Sequence, residues 1–191
     1  MIDVDSFVSK YELQTHPLNQ SAKDGLKQLL GFALSDSDIS GDRRHLSYFL
    51  ATIRHECAGT WRPIEEFGKG AGKAYGVPQW VADTDGIPRQ VAYYGRGYVQ
   101  ITWERNYLLL GSRIGLVDKL VIHPELALDP QIAYNIASVG MRQGLFTGVS
   151  LSRFIHDDIC DYVSARKVIN GLDQADKIAG YARLFEGLLS E

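Results

Sequence analysis

Apolar residues recur at helical spacing in several stretches of the chain, and the residues flanking them mark where helices start and stop. Leu46, Phe49, Leu50, Ile53 and Cys57 fall on one face of a 3.6-residue period. Ser40-Gly41-Asp42 just before them offers N-cap oxygens, which makes this the first clear helix. Asp129-Pro130 is a good N-cap and N1 pair and predicts a helix from Gln131 to about Phe146. Ile178, Tyr181, Ala182, Phe185, Leu188 and Leu189 repeat the period in a last helix. A further helix is expected from about Asp161 to Ile169, leading into the turn Asn170-Gly171. Glycine and proline dominate Gly68 to Pro88, which reads as loop or very short strand. The pattern predicts a mainly α fold with a small irregular or β segment. A central cleft between two lobes is the natural place for that segment.

Composition narrows this picture. A chain of 191 residues with 45% hydrophobic residues can bury a proper core, and its length favours a single domain, 1–191. That domain is expected to have a larger helical lobe and a smaller lobe around residues 60–110, with no separate cell-wall-binding domain. The net charge of -3 gives no footprint for a nucleic-acid partner. Cys57 and Cys160 are too few for a disulfide scaffold, and no second Cys or His stands at ligand spacing from either. Both are expected to be buried thiols, and no metal or other cofactor is expected. Met1-Ile2-Asp3-Val4-Asp5 is acidic where a signal peptide would be basic, and no apolar run approaches the ~20 residues of a membrane helix. Synthesis and folding in a cytoplasm, without membrane insertion and as a monomer, are the expectation.

The candidate chemistry begins with Glu56, which falls at the edge of the Leu46/Phe49/Ile53 stripe. A carboxyl there is partly desolvated, which favours its protonated form and suits a glycosidase acid. An ordinary helix glutamate in a salt bridge fits the position equally well. Glu65 and Glu66 follow after Trp61-Arg62-Pro63-Ile64. Inverting hydrolysis needs a second carboxylate about 6.5–9.5 Å from the acid. In an extended segment only one of two adjacent residues can face Glu56. The segment Tyr93-Tyr94-Gly95-Arg96-Gly97-Tyr98-Val99-Gln100-Ile101-Thr102-Trp103 offers aromatic faces for sugars, amides and a hydroxyl for hydrogen bonds, and glycines for close approach. A buried aromatic strand with a glycine bulge is the other reading.

Together these motifs resemble glycoside hydrolase family 19, the chitinase class whose fold is lysozyme-like. His55-Glu56 followed by Gly59 resembles the family's His-Glu-x-x-Gly helix end, with Glu56 on its general acid. Tyr93-Tyr94-Gly95-Arg96-Gly97 through Gln100-Ile101-Thr102, with Asn106-Tyr107 after it, resembles the family's central signature. The resemblance implies that Thr102 holds the attacking water and that Gln100 and Asn106 bind sugar. Val168-Ile169-Asn170-Gly171 resembles a third segment whose Asn contacts water or sugar, and Lys177 stands where the plant enzymes have Arg.

The short segment between the acid and the second carboxylate and the run Pro63-Ile64-Glu65-Glu66-Phe67-Gly68-Lys69-Gly70 look like the compact bacteriophage endolysins of this family. In that alignment Glu66 is the base, with Glu65 as the alternative. The implied catalytic set is Glu56, Glu66 and Thr102. His55, Tyr94, Arg96, Gln100, Trp103, Asn106, Asn170 and Lys177 are the implied substrate-binding residues. The implied activity is muramidase cleavage of peptidoglycan glycan strands after holin-type or other release. A chitinase acting on chitin oligomers, a secreted antibacterial effector, an inactive sugar-binding module and a lytic transglycosylase are the competing readings.

Overall fold

The computed structural model describes residues 2–83 and 85–190. In chain order the helices are α1 (Val4–Gln14), α2 (Gln20–Ser35), α3 (Ser37–Ser40), α4 (Arg43–Glu56), α5 (Glu104–Arg113), α6 (Lys119–Ile122), α7 (Pro130–Gln143) and α8 (Ala175–Leu188). The strands are short: β1 (Ile64–Glu65), β2 (Gln79–Ala82), β3 (Pro88–Val91), β4 (Arg96–Gly97), β5 (Ile155–His156) and β6 (Ile159–Cys160). They form three antiparallel pairs, β1 with β4, β2 with β3 and β5 with β6. The fold is mainly helical. Among the described residues no helix is long and apolar enough to cross a membrane. The chain divides into two compact units, Met1–Arg62 with Gly140–Glu191, and Pro63–Val139.

The first unit is built on capped helices. Asp3 accepts the Ser6 N–H, Asn19 the Ala22 N–H and Asp42 the Arg44 N–H, each satisfying a donor that a helix start leaves open. The helix expected after Ser40-Gly41-Asp42 is α4, but α1 and α2 precede it, so it is not the first. Nor is only a stripe of α4 covered. Every residue from Leu46 to Ile53 is buried, including Ser47 and Thr52. Ser47 fits because its hydroxyl donates back to the Arg43 carbonyl at 2.7 Å. α8 packs along α4, and the core between the helices holds Tyr11, Trp61 and Phe185. Trp61 meets the rings of Tyr11 and Phe185 edge-on, at 5.6 and 5.9 Å. Gly25 of α2 is required there, since a Cβ on it would stand 2.4 Å from the Trp61 carbonyl oxygen.

Three expectations are corrected in part. The helix at Asp129-Pro130 forms, and Asp129 caps the N–H groups of Gln131 and Ile132, but it ends at Gln143 rather than Phe146. Gly144 turns the chain at φ +68° where a Cβ would strike the Val149 backbone. The segment Asp161–Ile169 is not an α-helix but a single 3-10 stretch, Ser164–Val168. Asp161 bonds the Ser164 N–H as a local turn, and β-branched Val163, Val168 and Ile169 disfavour continuation. Cys57 is buried, whereas Cys160 is an exposed free thiol. It lies on the outer strand of the β5–β6 hairpin, where Ile155 opposite it takes the buried place.

In the second unit, Tyr93, Tyr98, Tyr107, Leu110 and Leu120 are buried, with the rings of Tyr93 and Tyr107 at 5.4 Å. The glycine-rich stretch carries a 3-10 turn, Ala74–Gly76, and then the β2–β3 hairpin, in keeping with loop and very short strand.

Candidate functional site

Each unit gathers its own set of candidate residues. In the first, α4 ends at Glu56, and the chain leaves the helix through Gly59, whose N–H bonds the Arg54 carbonyl at 2.9 Å with φ +72°. The Glu56 side chain is 17% exposed, the part-buried setting expected at the stripe's edge. It is also in a salt bridge. Arg166, at 4% exposure, donates from Nη1 to Glu56 Oε1 at 2.5 Å and from Nε to the Asp173 carbonyl at 3.0 Å. Desolvation alone, the basis of the expectation, left this cation out. Thr52 and Tyr48 lie one and two turns before Glu56 on the same helix, both fully buried, and burial pushes the Tyr48 phenol well above its usual range. His55 is half-buried, and desolvation lowers its pKa. Asn170 and Lys177 are exposed, and Asn170 Oδ1 accepts the Gly171 N–H at 2.9 Å.

In the second unit, β1 pairs with β4 so that Glu65 faces Arg96 and Ile64 faces Gly97. The two adjacent glutamates then diverge, as strand alternation requires. Glu65 accepts from the Tyr94 hydroxyl at 2.7 Å and meets Lys69 Nζ at 3.2 Å and Arg96 Nε at 3.7 Å. The Tyr94 bond, with Lys69 and Arg96 behind it, holds its carboxyl below the usual range against the opposing effect of burial. Glu66 keeps different company. Its Oε1 accepts from the Tyr75 hydroxyl at 2.9 Å and its Oε2 from the Gly95 N–H at 3.0 Å, while its own N–H donates to the Gly95 carbonyl at 2.7 Å. Both donors to its carboxylate, one hydroxyl and one backbone N–H, are neutral. Gly95 allows this approach, because a Cβ there would lie 2.9 Å from Gln100 Oε1 and 3.2 Å from Glu66 Cβ.

The central segment resolves into framework and surface. Tyr93, Tyr94 and Tyr98 are buried, so most of it is the aromatic, glycine-bearing core segment that stood as the other reading. Tyr94 and Arg96, expected to meet sugar, are both buried. Arg96 is 5% exposed, donates to the Ala92 carbonyl and the Tyr107 hydroxyl, and stacks 3.5 Å from the Tyr94 ring. Gln100 Nε2 donates to the carbonyls of Ile64 and Gly97, tying β1 to the turn after β4, and Asn106 Nδ2 donates to the Thr102 carbonyl at 2.7 Å. Trp103 is the exposed member, at 43%. It is held at φ +69° by its N–H bond to the Tyr93 carbonyl and meets the Tyr75 ring edge-on at 5.5 Å. Thr102 is half-buried, and its hydroxyl bonds no other described residue.

Set beside known proteins, residues 22–141 match the chitinase class I model of the glycoside hydrolases. This chain belongs to glycoside hydrolase family 19. The matched stretch of the family 19 model includes Glu56, Glu65, Glu66 and Thr102, and leaves Arg166, Asn170 and Lys177 outside it. Chitinase 11 of Oryza sativa subsp. japonica is 34% identical over 98 residues, which is 50% of this chain and 34% of that protein. The chain thus spans about a third of the length of the curated relatives it matches. The fold is shared over nearly the whole chain with two solved chitinases. Chitinase C from Streptomyces griseus HUT6037 has a TM-score of 0.59 at 21% identity, covering 99% of this chain and 92% of its own. The class IV chitinase from Zea mays has a TM-score of 0.56 at 22% identity, covering 97% and 92%.

Two residues that reasoning from sequence missed stand against the candidate carboxyls, Arg166 on Glu56 and Tyr75 on Glu66. Arg166 had a faint signal as a charge set between Ala165 and Val168, both buried. Tyr75 is one tyrosine in a glycine-rich stretch and had none.

Proposed function

We propose that this chain hydrolyses β-1,4 glycosidic bonds of an amino-sugar polymer with inversion, and that its substrate is bacterial peptidoglycan. The observation that carries the reading is the contrast between Glu65 and Glu66. A general base must be ionised and must keep lone pairs for the water it activates. Glu65 is neutralised by Lys69 and Arg96, whereas Glu66 is bonded by two neutral donors and retains free acceptor capacity on both oxygens. Glu66 takes the role of base, and the unengaged Thr102 hydroxyl orients the water. Glu56 takes the role of acid. Arg166 occupies Oε1, which leaves Oε2 as the oxygen that takes up a proton and passes it to the leaving oxygen. In this reading Gln100 and Asn106 shape the site through the backbone, and Trp103, Asn170 and Lys177 are the sugar-facing residues. Release to the wall by a holin-type or other route belongs to the same proposal.

Chitin is the second reading, favoured by the names of the relatives, which are chitinases. Peptidoglycan is preferred for the compact segment between Glu56 and Glu66, which resembles the endolysin form. The test is digestion of purified murein and of chitin oligomers in parallel, with product masses. Hydrolysed, non-anhydro muropeptides are expected. Glu56→Gln and Glu66→Gln should each lose about 10²–10⁴-fold in rate, the worth of general acid or base catalysis, while Glu65→Gln stays active. A dead Glu65→Gln beside a lively Glu66→Gln would exchange their roles, and products from chitin alone would move the substrate to chitin.

A further inference from the structure

We propose that a cavity in the first unit, beside the end of α4, binds the carboxylate carried by a lactyl or peptide substituent on an amino sugar. This rests on the glycan-hydrolase reading and names the feature of the substrate that the cavity selects. The cavity has a volume of about 280 Å³ and is lined by His16, Arg54, His55, Lys177 and Tyr181 with the backbone turn at Ala58-Gly59. No acidic side chain lines it. In a chain with 23 acidic and 20 basic residues, a cavity walled by Arg, Lys and two His is not the by-product of a basic surface.

The arginine is placed without a carboxylate. Its guanidinium carbon lies 3.9 Å from the Tyr181 ring centroid and 5.3 Å from that of Tyr11, and no described carboxylate pairs with it. Aromatic faces orient a guanidinium but leave its N–H edge open. Such an edge fits a carboxylate with two parallel hydrogen bonds. Lys177 likewise has no carboxylate partner among the described residues and adds a second positive charge from α8. The carboxylates that act on His55 are Glu56 and Asp173, and Glu56 is already bonded to Arg166. The cavity is smaller than the roughly 300–1,000 Å³ of a drug-sized ligand site. It suits a side group rather than a run of sugars. N-acetylglucosamine carries no charge to place there, while a muramic sugar carries a carboxylate directly or through its peptide.

The test uses a probe with no glycosidic bond to cut, N-acetylmuramoyl-L-alanyl-D-isoglutamine, titrated into the full chain by calorimetry and followed by amide NMR. Binding is expected, with shifts at residues 54–59 and 177–181. Amidation of the probe's carboxylate, Arg54→Gln or Lys177→Gln should each weaken it about tenfold, the scale of one charged hydrogen bond. Arg54→Lys should recover part of the loss. Thermal unfolding of each variant separates a folding failure from a binding one, and Lys177→Gln alters an exposed position. Equal binding of the charged and amidated probes, or equal affinity in the variants, overturns the proposal, as does displacement by inorganic phosphate at the same concentration as the probe. No binding of the probe with murein still cleaved overturns the cavity assignment alone. Cleavage of chitin with neither probe binding nor murein cleavage overturns the peptidoglycan reading with it.

Discussion

Replacing Arg166 with Met removes the guanidinium while keeping much of the side-chain volume, and its cost can be worked from the contacts. Breaking a buried ion pair by removing one partner typically costs about 3–5 kcal/mol, because the other charge is left without compensation. Arg166 is 4% exposed and Glu56 17%, so the remaining carboxylate keeps some water and the lower end applies. The bond from Nε to the Asp173 carbonyl is lost as well, adding about 1 kcal/mol. A loss of about 4 kcal/mol is expected in urea unfolding at pH 7. For a chain of this size that corresponds to a fall in Tm of about 8–16 °C. A double-mutant cycle with Glu56→Gln isolates the pair. The double variant should be less damaged than the sum of the singles by about 0.5–3 kcal/mol, since each single strands its partner. A loss below about 1 kcal/mol for Arg166→Met, or additivity in the cycle, would refute the ion pair as a contact of the folded protein.

Gly95→Ala should stay folded but lose at least tenfold in activity, because the new methyl displaces Gln100 Oε1 and Glu66; wild-type turnover with an unchanged Tm would refute that close approach. Asp42→Ala should cost about 1 kcal/mol at pH 7 as a lost N-cap. The Arg44 hydrogen bond holds the Asp42 carboxyl at about 2, below its ordinary 3.8, so its contribution is present above pH 4 and disappears as pH falls towards 2; urea midpoints measured across that window should converge for variant and wild type. A maleimide should label Cys160 in the native protein and spare Cys57 until unfolding, and reductant should leave activity unchanged, since both thiols are free.

The parts of the fold legible in the sequence were those with strong punctuation. Asp42 and Asp129-Pro130 announced α4 and α7, and the long apolar period of α8 announced itself. α1 escaped because its buried set, Phe7, Val8 and Tyr11, is a narrow stripe in a polar segment. Its cap, Asp3, lay in a stretch weighed only as a leader. The full burial of α4 was illegible for another reason. Ser47, Tyr48 and Thr52 lie off the Leu46/Phe49/Ile53 stripe, and their burial depends on what packs around the helix. In the candidate site the divergence of Glu65 and Glu66 followed from strand alternation. Which one met the cations did not, since that depends on Arg96 being brought opposite Glu65 from 31 positions along the chain. Arg166 lies 110 residues beyond Glu56, and no local pattern reports such a contact.

The pairing of β1 with β4 also bears on how this protein can change. Its two rungs fix the backbone on either side of a long excursion, residues 66–95, that leaves after Glu65 and returns before Arg96. The far end of that excursion, beyond the β2–β3 ladder around Gly86, is tied to neither rung. Residues can be added or removed there without altering which glutamate faces Arg96. A single insertion between Trp61 and Glu65 would do the reverse, shifting β1 by one position so that Ile64 stands opposite Arg96 and Glu65 is moved to the place of Glu66. Length variation among descendants of this sequence should therefore concentrate at the hairpin tip and avoid the few residues before it. The same tip is the place to graft a loop when a longer or differently charged surface is wanted with Glu66 left undisturbed.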